Sequence, residues 1–139
     1  MKSYLIKKDQ NGNKIIQKPI NNESVSWESV FPFYNSVTSI GERGVSYAFY
    51  GCTGLTGSIS FPNLTSIGDR GLYNAFHGCT GLTSVSFPSL TSIGDNGLYN
   101  TFYGCTGLKE VHFKSSLSGN PQCTASNMGC PNATIYFDL

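Results

Sequence analysis

Two histidines and five cysteines are the side chains in this sequence that are best suited to nucleophilic or metal chemistry. His77 stands two residues before Cys79, and a Cys–His nucleophile pair needs an accessible site that stabilises a thiolate. Cys52, Cys79 and Cys105, however, recur at steps of 27 and 26 residues, and the other two cysteine-containing repeats lack a histidine at that place. This periodicity predicts small buried side chains of a repeated core rather than nucleophiles. No spacing resembles a Cys-x-x-Cys pair or a histidine cluster. The sequence therefore predicts no catalytic residue, no metal site and no cofactor.

An acidic residue follows an Ile-Gly pair in each repeat, at Glu42, Asp69 and Asp95. Stacked repeats would place these carboxylates roughly 5 Å apart, at the spacing of neighbouring strands. Such a column could bind calcium, which prefers carboxylate oxygens, or each residue could cap a short helical segment that follows it. Because exposed like charges at this spacing repel each other only weakly in water, capping is the favoured interpretation.

Three stretches of the chain are near copies, and this repetition predicts a solenoid of stacked coils. Phe49, Phe76 and Phe102 keep the step of the cysteines, whereas a second phenylalanine column is spaced by 26 and 26 residues (Phe61, Phe87 and Phe113). The difference of one residue places an insertion in the first copy, near Gly57. We interpret it as a bulge.

Within one repeat, the apolar spacing predicts a short strand followed by turns. Val85 and Phe87 alternate with polar residues as in a strand, and Pro88 cannot donate to a sheet, so the strand should end at Phe87. Leu98, Phe102 and Cys105 recur at four and three residues, a spacing that suits one or two helical turns. The side chains predicted to point inward in the second repeat are Ile67, Leu72, Ala75, Phe76, Cys79, Leu82, Val85, Phe87 and Leu90.

These motifs resemble the BspA-like leucine-rich repeats, also called the Treponema pallidum type. The resemblance is carried by Ile67-Gly68-Asp69, Ala75-Phe76-x-x-Cys79, Leu82-x-x-Val85 and Phe87-Pro88, and it extends over about residues 37–117. This sequence departs from the family in having Phe-Pro where Ile-Pro is common and in an insertion near Arg70. The resemblance implies a leucine-rich repeat solenoid with short parallel β-strands on one side, short helical or turn segments on the other, and irregular terminal caps.

The ends of the chain are predicted to cap the array, since a solenoid needs covered ends. Residues 1–36 form an N-terminal cap with a β-hairpin at Asn11-Gly12, a favoured turn pair, and Trp27 and Phe31 cover the first coil. Residues 37–117 hold three repeats, and residues 118–139 form a degenerate capping repeat, with the whole chain as one domain. Cys123 and Cys130 could form a disulfide in an oxidising compartment.

The composition of the chain limits the classes of partner that we expect it to bind. The chain has 139 residues and a formal net charge of +1, and its basic residues are concentrated near the N-terminus, so no face is expected to attract a phosphate backbone. The apolar run Tyr4-Leu5-Ile6 is far too short for a signal-peptide core, and no segment approaches membrane-spanning length. We therefore expect no nucleic-acid partner, no membrane insertion, and a leader that is removed or lies outside this sequence if the protein is exported.

Two outward-facing residue columns are the candidate ligand-binding surfaces. The first is the predicted strand face, since sheets of solenoids commonly bind partners: Ser58, Ser60, Ser84, Ser86, Glu110 and His112. The second is aromatic, with Tyr50, His77 and Tyr103 beside Tyr47, Tyr73 and Tyr99. Tyrosines of this kind bind partners through ring faces and hydroxyls, but they also simply cover the segments beneath them.

The resemblance implies a non-catalytic module that binds a protein or glycan ligand in bacterial surface adhesion or host interaction, at the cell surface or outside the cell. The alternative is a structural or receptor-binding component of a phage or cell-envelope assembly, docked through residues 1–36. The sequence leaves the oligomeric state open and favours a monomer.

Overall fold

Successive coils of the chain stack in parallel and form two parallel sheets. The computed structural model describes residues 6–8, 14–16 and 24–139. The larger sheet has the order β4 (Gly57–Ser60), β6 (Leu82–Phe87), β8 (Glu110–Phe113) and β9 (Thr134–Tyr136), and the smaller has the order β3 (Ser39–Ile40), β5 (Ser66–Ile67) and β7 (Ser92–Ile93). A separate antiparallel pair joins β1 (Ile6–Lys8) and β2 (Lys14–Ile16). The predicted turn at Asn11-Gly12 between them lies outside the described residues. The stacked parallel coils confirm the predicted solenoid.

The larger sheet follows the predicted alternation of inward and outward residues. Val85 pairs with Ile59 on one side and with Val111 on the other, and all three are buried. β6 ends at Phe87, directly before Pro88, as predicted. The insertion at Gly57 is also confirmed, because the register between β4 and β6 shifts between Gly57 and Ser58. Gly57 has a φ of 84°, which glycine adopts without strain.

The opposite side of each coil is built from turns, where the spacing of Leu98, Phe102 and Cys105 suggested a short helix. Alternate N–H groups donate within the coil, as from Ala48 to the Val45 carbonyl, and the intervening ones donate to the next coil, as from Phe49 to the Ala75 carbonyl. A helix would use all of these groups internally. The turn segments, residues 42–51, 69–78 and 95–104, are therefore joined by a ladder of hydrogen bonds that a helix could not provide.

Ladders of aromatic rings fill the interior. Phe49, Phe76 and Phe102 stack with centroid separations of 5.0 and 5.8 Å. Phe61, Phe87 and Phe113 do the same at 5.2 and 5.4 Å. All nine side chains that were predicted to point inward in the second repeat are buried, with at most 2% exposure. Apolar area removed from water is the main favourable term in folding, so these columns hold the coils together.

The N-terminal end of the core is covered by α1 (Trp27–Val30). The Trp27 ring stacks on Phe31 at 5.1 Å and meets Phe49 and Phe61 edge-on at 5.4 and 5.1 Å. Its indole N–H donates to the Ser60 carbonyl at 2.7 Å. This hydrogen bond covers part of the outer edge of β4. Trp27 and Phe31 therefore cover the first coil as expected, and Trp27 also closes a sheet edge that would otherwise be open to another strand.

The C-terminal end consists of two 3-10 helices (Ser115–Leu117 and Pro121–Cys123), then α2 (Ala125–Met128) and β9. N–H groups of the last turn segment find acceptors here, from Asn100 to the Asn127 carbonyl and from Phe102 to the Met128 carbonyl. Cys123 and Cys130 are both buried and free in this structure. No disulfide joins them in this structure.

Asp69, in the acidic column, has a role that differs from helix capping. The Asp69 carboxylate accepts a hydrogen bond of 2.9 Å from the backbone N–H of Asp95, in the next coil. The segment after Asp69 is a turn segment, so there is no helix there to cap. The carboxylate instead joins two neighbouring coils. Among the residues that the structure describes, no three His, Cys, Asp or Glu side chains converge in a way that could hold a metal ion.

The glycines before this column allow the coils to approach closely, and this predicts a position-dependent effect of substitution. A Cβ at Gly94 would lie 2.7 Å from the backbone nitrogen of Asp69, whereas a Cβ at the equivalent Gly41 in the first coil would meet nothing within 4 Å. We expect Gly94→Ala to lower the free energy of unfolding by about 1–3 kcal/mol through overpacking, and Gly41→Ala to change it by less than about 0.5 kcal/mol. Urea denaturation measures both values. Equal losses in the two variants would contradict the close approach of the coils at Gly94.

Candidate functional site

The first predicted surface, the strand face, is assembled as expected. Pairing in register places Ser58, Ser84 and Glu110 in one row across the sheet, and Ser60, Ser86 and His112 in the next. Within this face, polar groups bind one another. The Ser84 hydroxyl donates to the Ser58 hydroxyl at 2.8 Å, so a ligand would have to compete with an existing hydrogen bond at that point.

His112 is the centre of a charged cluster at the C-terminal end of the strand face. Its Nδ1 lies 2.9 and 3.0 Å from the two carboxylate oxygens of Asp138, and its Nε2 lies 3.2 Å from Glu110 Oε1. The Tyr136 ring stacks on the imidazole at 4.8 Å. The hydrogen bond that His112 donates to Asp138 is the main cause that raises the pKa of His112, with a smaller contribution from Glu110. This arrangement favours the imidazolium form, whose two N–H groups each donate a hydrogen bond to a carboxylate.

Residue types alone suggest a hydrolytic triad in this cluster, because Ser86 lies in register beside His112, and His112 is oriented by Asp138. In a working triad, the second imidazole nitrogen accepts a hydrogen bond from the serine hydroxyl. Here that nitrogen faces Glu110, and no hydrogen bond joins Ser86 to His112 in the described part of the chain. The geometry therefore gives no support to an activated serine.

The cysteines are equally unsuited to nucleophilic attack. The thiols of Cys79 and Cys105 donate to the carbonyls of Phe49 and Phe76, at 3.1 and 3.0 Å, and so bridge neighbouring coils. Burial raises the pKa of Cys105 to about 12. A thiol with such a pKa stays protonated at neutral pH and reacts poorly. His77 is engaged with two tyrosines, Tyr50 and Tyr103, and does not pair with Cys79 through any described hydrogen bond.

The His112 cluster predicts a pH-dependent stability. Because the pKa of His112 is raised in the folded state, the cluster stabilises the protein fully below the unfolded-state pKa of about 6.5 and loses this effect as the pH rises through the folded-state pKa. We expect Asp138→Asn to lower the pKa of His112 in an NMR titration, and Glu110→Gln to lower it less. We also expect the wild type to be more stable than Asp138→Asn near pH 6, with the difference vanishing at alkaline pH. An unchanged pKa of His112 in Asp138→Asn would refute this account.

The second predicted surface lies on the turn segments, and we call it the tyrosine surface (Tyr47, Tyr50, Tyr73, His77, Tyr99 and Tyr103). The His77 ring is flanked edge-on by Tyr50 at 4.5 Å and Tyr103 at 4.8 Å. Tyr73 meets Tyr47 at 5.7 Å and Tyr99 at 5.4 Å. The structure therefore brings all six predicted rings together into one continuous array.

Most of this array is open to solvent. Tyr47, Tyr50, Tyr99 and Tyr103 are 51, 45, 38 and 52% exposed. Tyr73 and His77 are half-buried between them. One detail differs from the predicted column: Tyr73 and Tyr99 occupy equivalent places in their coils, whereas Tyr47 lies one residue later in the first coil, where Ser46 holds the equivalent place. Aligning the three repeats residue by residue would have revealed this offset.

A groove of about 330 Å³ adjoins the tyrosine surface at Tyr103. One wall is formed by the end of the last turn segment and the residues after it, including Cys105 and Leu108. The C-terminal cap forms the other wall, with Cys130, Pro131 and Ala133. The volume is near the lower limit for small-molecule sites. No feature of the sequence predicted this groove, because it forms where the regular coils meet the irregular cap.

Comparisons with known proteins agree with the repeat pattern. A family model described as the BspA type leucine rich repeat region, in six copies, matches residues 15–119 and 73–136. Among solved structures, a leucine-rich repeat protein of T. pallidum is 17% identical, with 98% of this chain and 79% of that chain covered and a TM-score of 0.38. No sequence among the curated proteins matches this chain. No helix in the described part of the chain is long and apolar enough to cross a bilayer.

Proposed function

Because the chain belongs to the family of BspA-type leucine-rich repeats, we propose that it is a non-catalytic protein-binding module whose partner lies on the tyrosine surface. The observation that carries this proposal is the set of four exposed tyrosines on one face. Tyrosine supplies a large, rigid contact area with little loss of conformational entropy and is enriched among the residues that dominate binding energy.

The strand face supports binding less well, since four of its six polar side chains already bind one another or Asp138. Ser58 and Ser84 bind each other, and His112 is held by Asp138 and Glu110. A ligand there would have to break these contacts, and an unpaired polar group left behind would cost free energy. A partner that binds the exposed rings of the tyrosine surface would not have to break such contacts.

The orientation of the rings favours a protein over a glycan. Sugars stack on flat, exposed ring faces, but neighbouring rings here meet nearly at right angles, at 79° between Tyr50 and His77 and 88° between His77 and Tyr103. The faces of Tyr73 and Tyr99 are stacked on each other, with 19° between the planes. The exposed parts of these angled rings and their hydroxyls suit the mixed apolar and polar surface of a protein.

The groove beside Tyr103 extends this surface and can hold an apolar side chain of the partner. Interfaces commonly combine a buried apolar anchor with a more polar rim. We further propose that the binding serves adhesion or contact with host molecules at the cell surface, since proteins of this family are typically surface-associated.

A random-peptide phage library, selected on the wild-type protein, tests the proposal. Tyr50→Ser with Tyr103→Ser should weaken binding of the selected peptides by about tenfold or more, the loss expected on truncating interface hot spots. The matched pair Ser60→Ala with Ser86→Ala, on the strand face, should change binding by less than about twofold. The proposal is overturned if the peptides lose binding only in the serine pair, or if a glycan array binds the protein while no peptide is enriched.

A further inference from the structure

His77 stands where the other two coils carry a tyrosine. The equivalent residues are Tyr50 and Tyr103, and the His77 ring lies between their rings, with centroid separations of 4.5 and 4.8 Å. At the centre of the tyrosine surface, a smaller ring with two nitrogen atoms therefore replaces a phenol.

The two nitrogens of the His77 ring differ in their surroundings. Nδ1 is enclosed, and it has no hydrogen-bond partner among the residues that the structure describes. Nε2 has no partner there either, but it is not enclosed, so it is the nitrogen that another molecule can reach. The backbone of His77 is held independently of the ring, since its N–H donates to the Asn74 carbonyl at 3.3 Å and its carbonyl accepts from the Gly51 N–H at 2.6 Å.

This difference decides which nitrogen carries the hydrogen. An uncharged imidazole has one N–H group and one nitrogen that accepts hydrogen bonds. A hydrogen on Nδ1 would be a buried donor without an acceptor, which is rarer in folded proteins than a buried acceptor without a donor. The hydrogen therefore lies on Nε2, and the side of the His77 ring that a partner can reach donates a hydrogen bond and accepts none.

Stability does not explain a histidine at this place. A buried polar atom without a partner costs free energy. Tyr50 and Tyr103, which are 45 and 52% exposed, have no such atom. A tyrosine or phenylalanine in the second coil would continue the ring column without this cost. A polar group that is kept at a cost to stability needs a functional explanation.

We infer that His77 is the specificity-determining residue of the tyrosine surface, and that its Nε2–H donates a hydrogen bond to a carbonyl or carboxylate oxygen of the partner protein. This inference rests on the proposed function. The tyrosine hydroxyls around His77 both donate and accept, so they discriminate poorly between donors and acceptors. A partner that places a donor at His77 brings two donors face to face, and this contact selects against it.

Two single variants distinguish the donor from the ring. His77→Phe keeps an aromatic ring and removes both nitrogens, whereas His77→Gln removes the ring and places an amide N–H near the position of Nε2. Phage peptides that were selected on the wild type should bind His77→Phe about tenfold more weakly, the loss expected when an acceptor is left unpaired. They should bind His77→Gln within about threefold of the wild type. Full binding to His77→Phe with weaker binding to His77→Gln would show that only the ring matters.

His77→Phe should also raise Tm by about 3 °C, because it removes the enclosed Nδ1 and breaks no hydrogen bond of the described chain. Calorimetry measures this shift. An unchanged or lower Tm contradicts the stability cost on which the inference depends.

NMR of protein with isotope-labelled histidine locates the hydrogen directly. The chain has two histidines, and the signals of His77 are those that disappear in His77→Gln. We expect the hydrogen on Nε2 in the free protein, and slower exchange of this hydrogen with water when a selected peptide is bound. A hydrogen on Nδ1, or unchanged exchange in the complex, overturns the inference.

The outcomes separate this inference from the proposed function. If His77→Phe binds the peptides fully while Tyr50→Ser with Tyr103→Ser weakens binding, the inference is wrong and the proposed function survives. If neither change weakens binding, both the inference and the proposed function are wrong.

Discussion

Replacing Phe76 with alanine is expected to lower the free energy of unfolding by about 3–5 kcal/mol. The Phe76 ring is fully buried and contacts Phe49 and Phe102 in its own column at 5.0 and 5.8 Å. It also meets Trp27 at 5.6 Å, so it joins the N-terminal cap to the second coil. Since a whole domain is stable by only about 5–15 kcal/mol, this single change should bring the protein near the limit of folding.

Urea denaturation followed by circular dichroism measures this loss. Phe33→Ala is the matched control, because Phe33 is 45% exposed and its ring lies 6.2 Å from that of Phe31; we expect it to cost less than about 1 kcal/mol. Phe76→Leu keeps most of the apolar volume and should cost about 1–2 kcal/mol. Similar losses for Phe76→Ala and Phe33→Ala would mean that the ring ladder does not hold the coils together.

Replacing Trp27 with alanine is expected to have the second large effect, again about 3–5 kcal/mol. The substitution removes a ring that packs on Phe31, Phe49 and Phe61. It also removes the indole N–H that binds the Ser60 carbonyl. The outer edge of β4 is then open to pairing with another chain, and we expect the variant to associate at high concentration.

Trp27→Phe separates the two contributions. The smaller ring keeps much of the packing but leaves the Ser60 carbonyl without its donor, and we expect a loss of about 1–2 kcal/mol. Denaturation and light scattering on both variants measure stability and association. If Trp27→Ala stays monomeric and loses no more stability than Trp27→Phe, then Trp27 does not close the end of the solenoid.

The columns of the core could be predicted from the sequence because their residues recur at a nearly constant spacing. The steps of Cys52, Cys79 and Cys105, and of the phenylalanines beside them, identify the residues that coincide when coils stack. Burial of these residues follows from their apolar character alone. The end of β6 at Phe87 was equally accessible, since Pro88 lacks the N–H that a sheet requires.

The turn segments could be predicted only as helical or turn segments, because their apolar spacing fits both. Leu98, Phe102 and Cys105 fall on one face of a helix, and they also fall inward when every fourth residue has a left-handed backbone. Only contact with the neighbouring coil decides between the two, through N–H groups that donate across coils. The same contact explains why Asp69 binds the next coil rather than capping its own segment.

The cluster around His112 could not be predicted from the sequence, because it also depends on a contact between distant parts of the chain. Asp138 is in the C-terminal tail, where no repeat predicts its place. The offset of Tyr47, in contrast, is visible in the sequence. The left-handed backbone at that residue is seen only in the structure.

Hydrogen-exchange mass spectrometry with a bound peptide tests the central claim most directly. For peptides that are selected from a phage library on the wild-type protein, we predict slower exchange in the turn segments, at residues 42–51 and 95–104, and unchanged exchange in β6 and β8. Protection confined to β6 and β8 would place the binding site on the strand face and contradict the account.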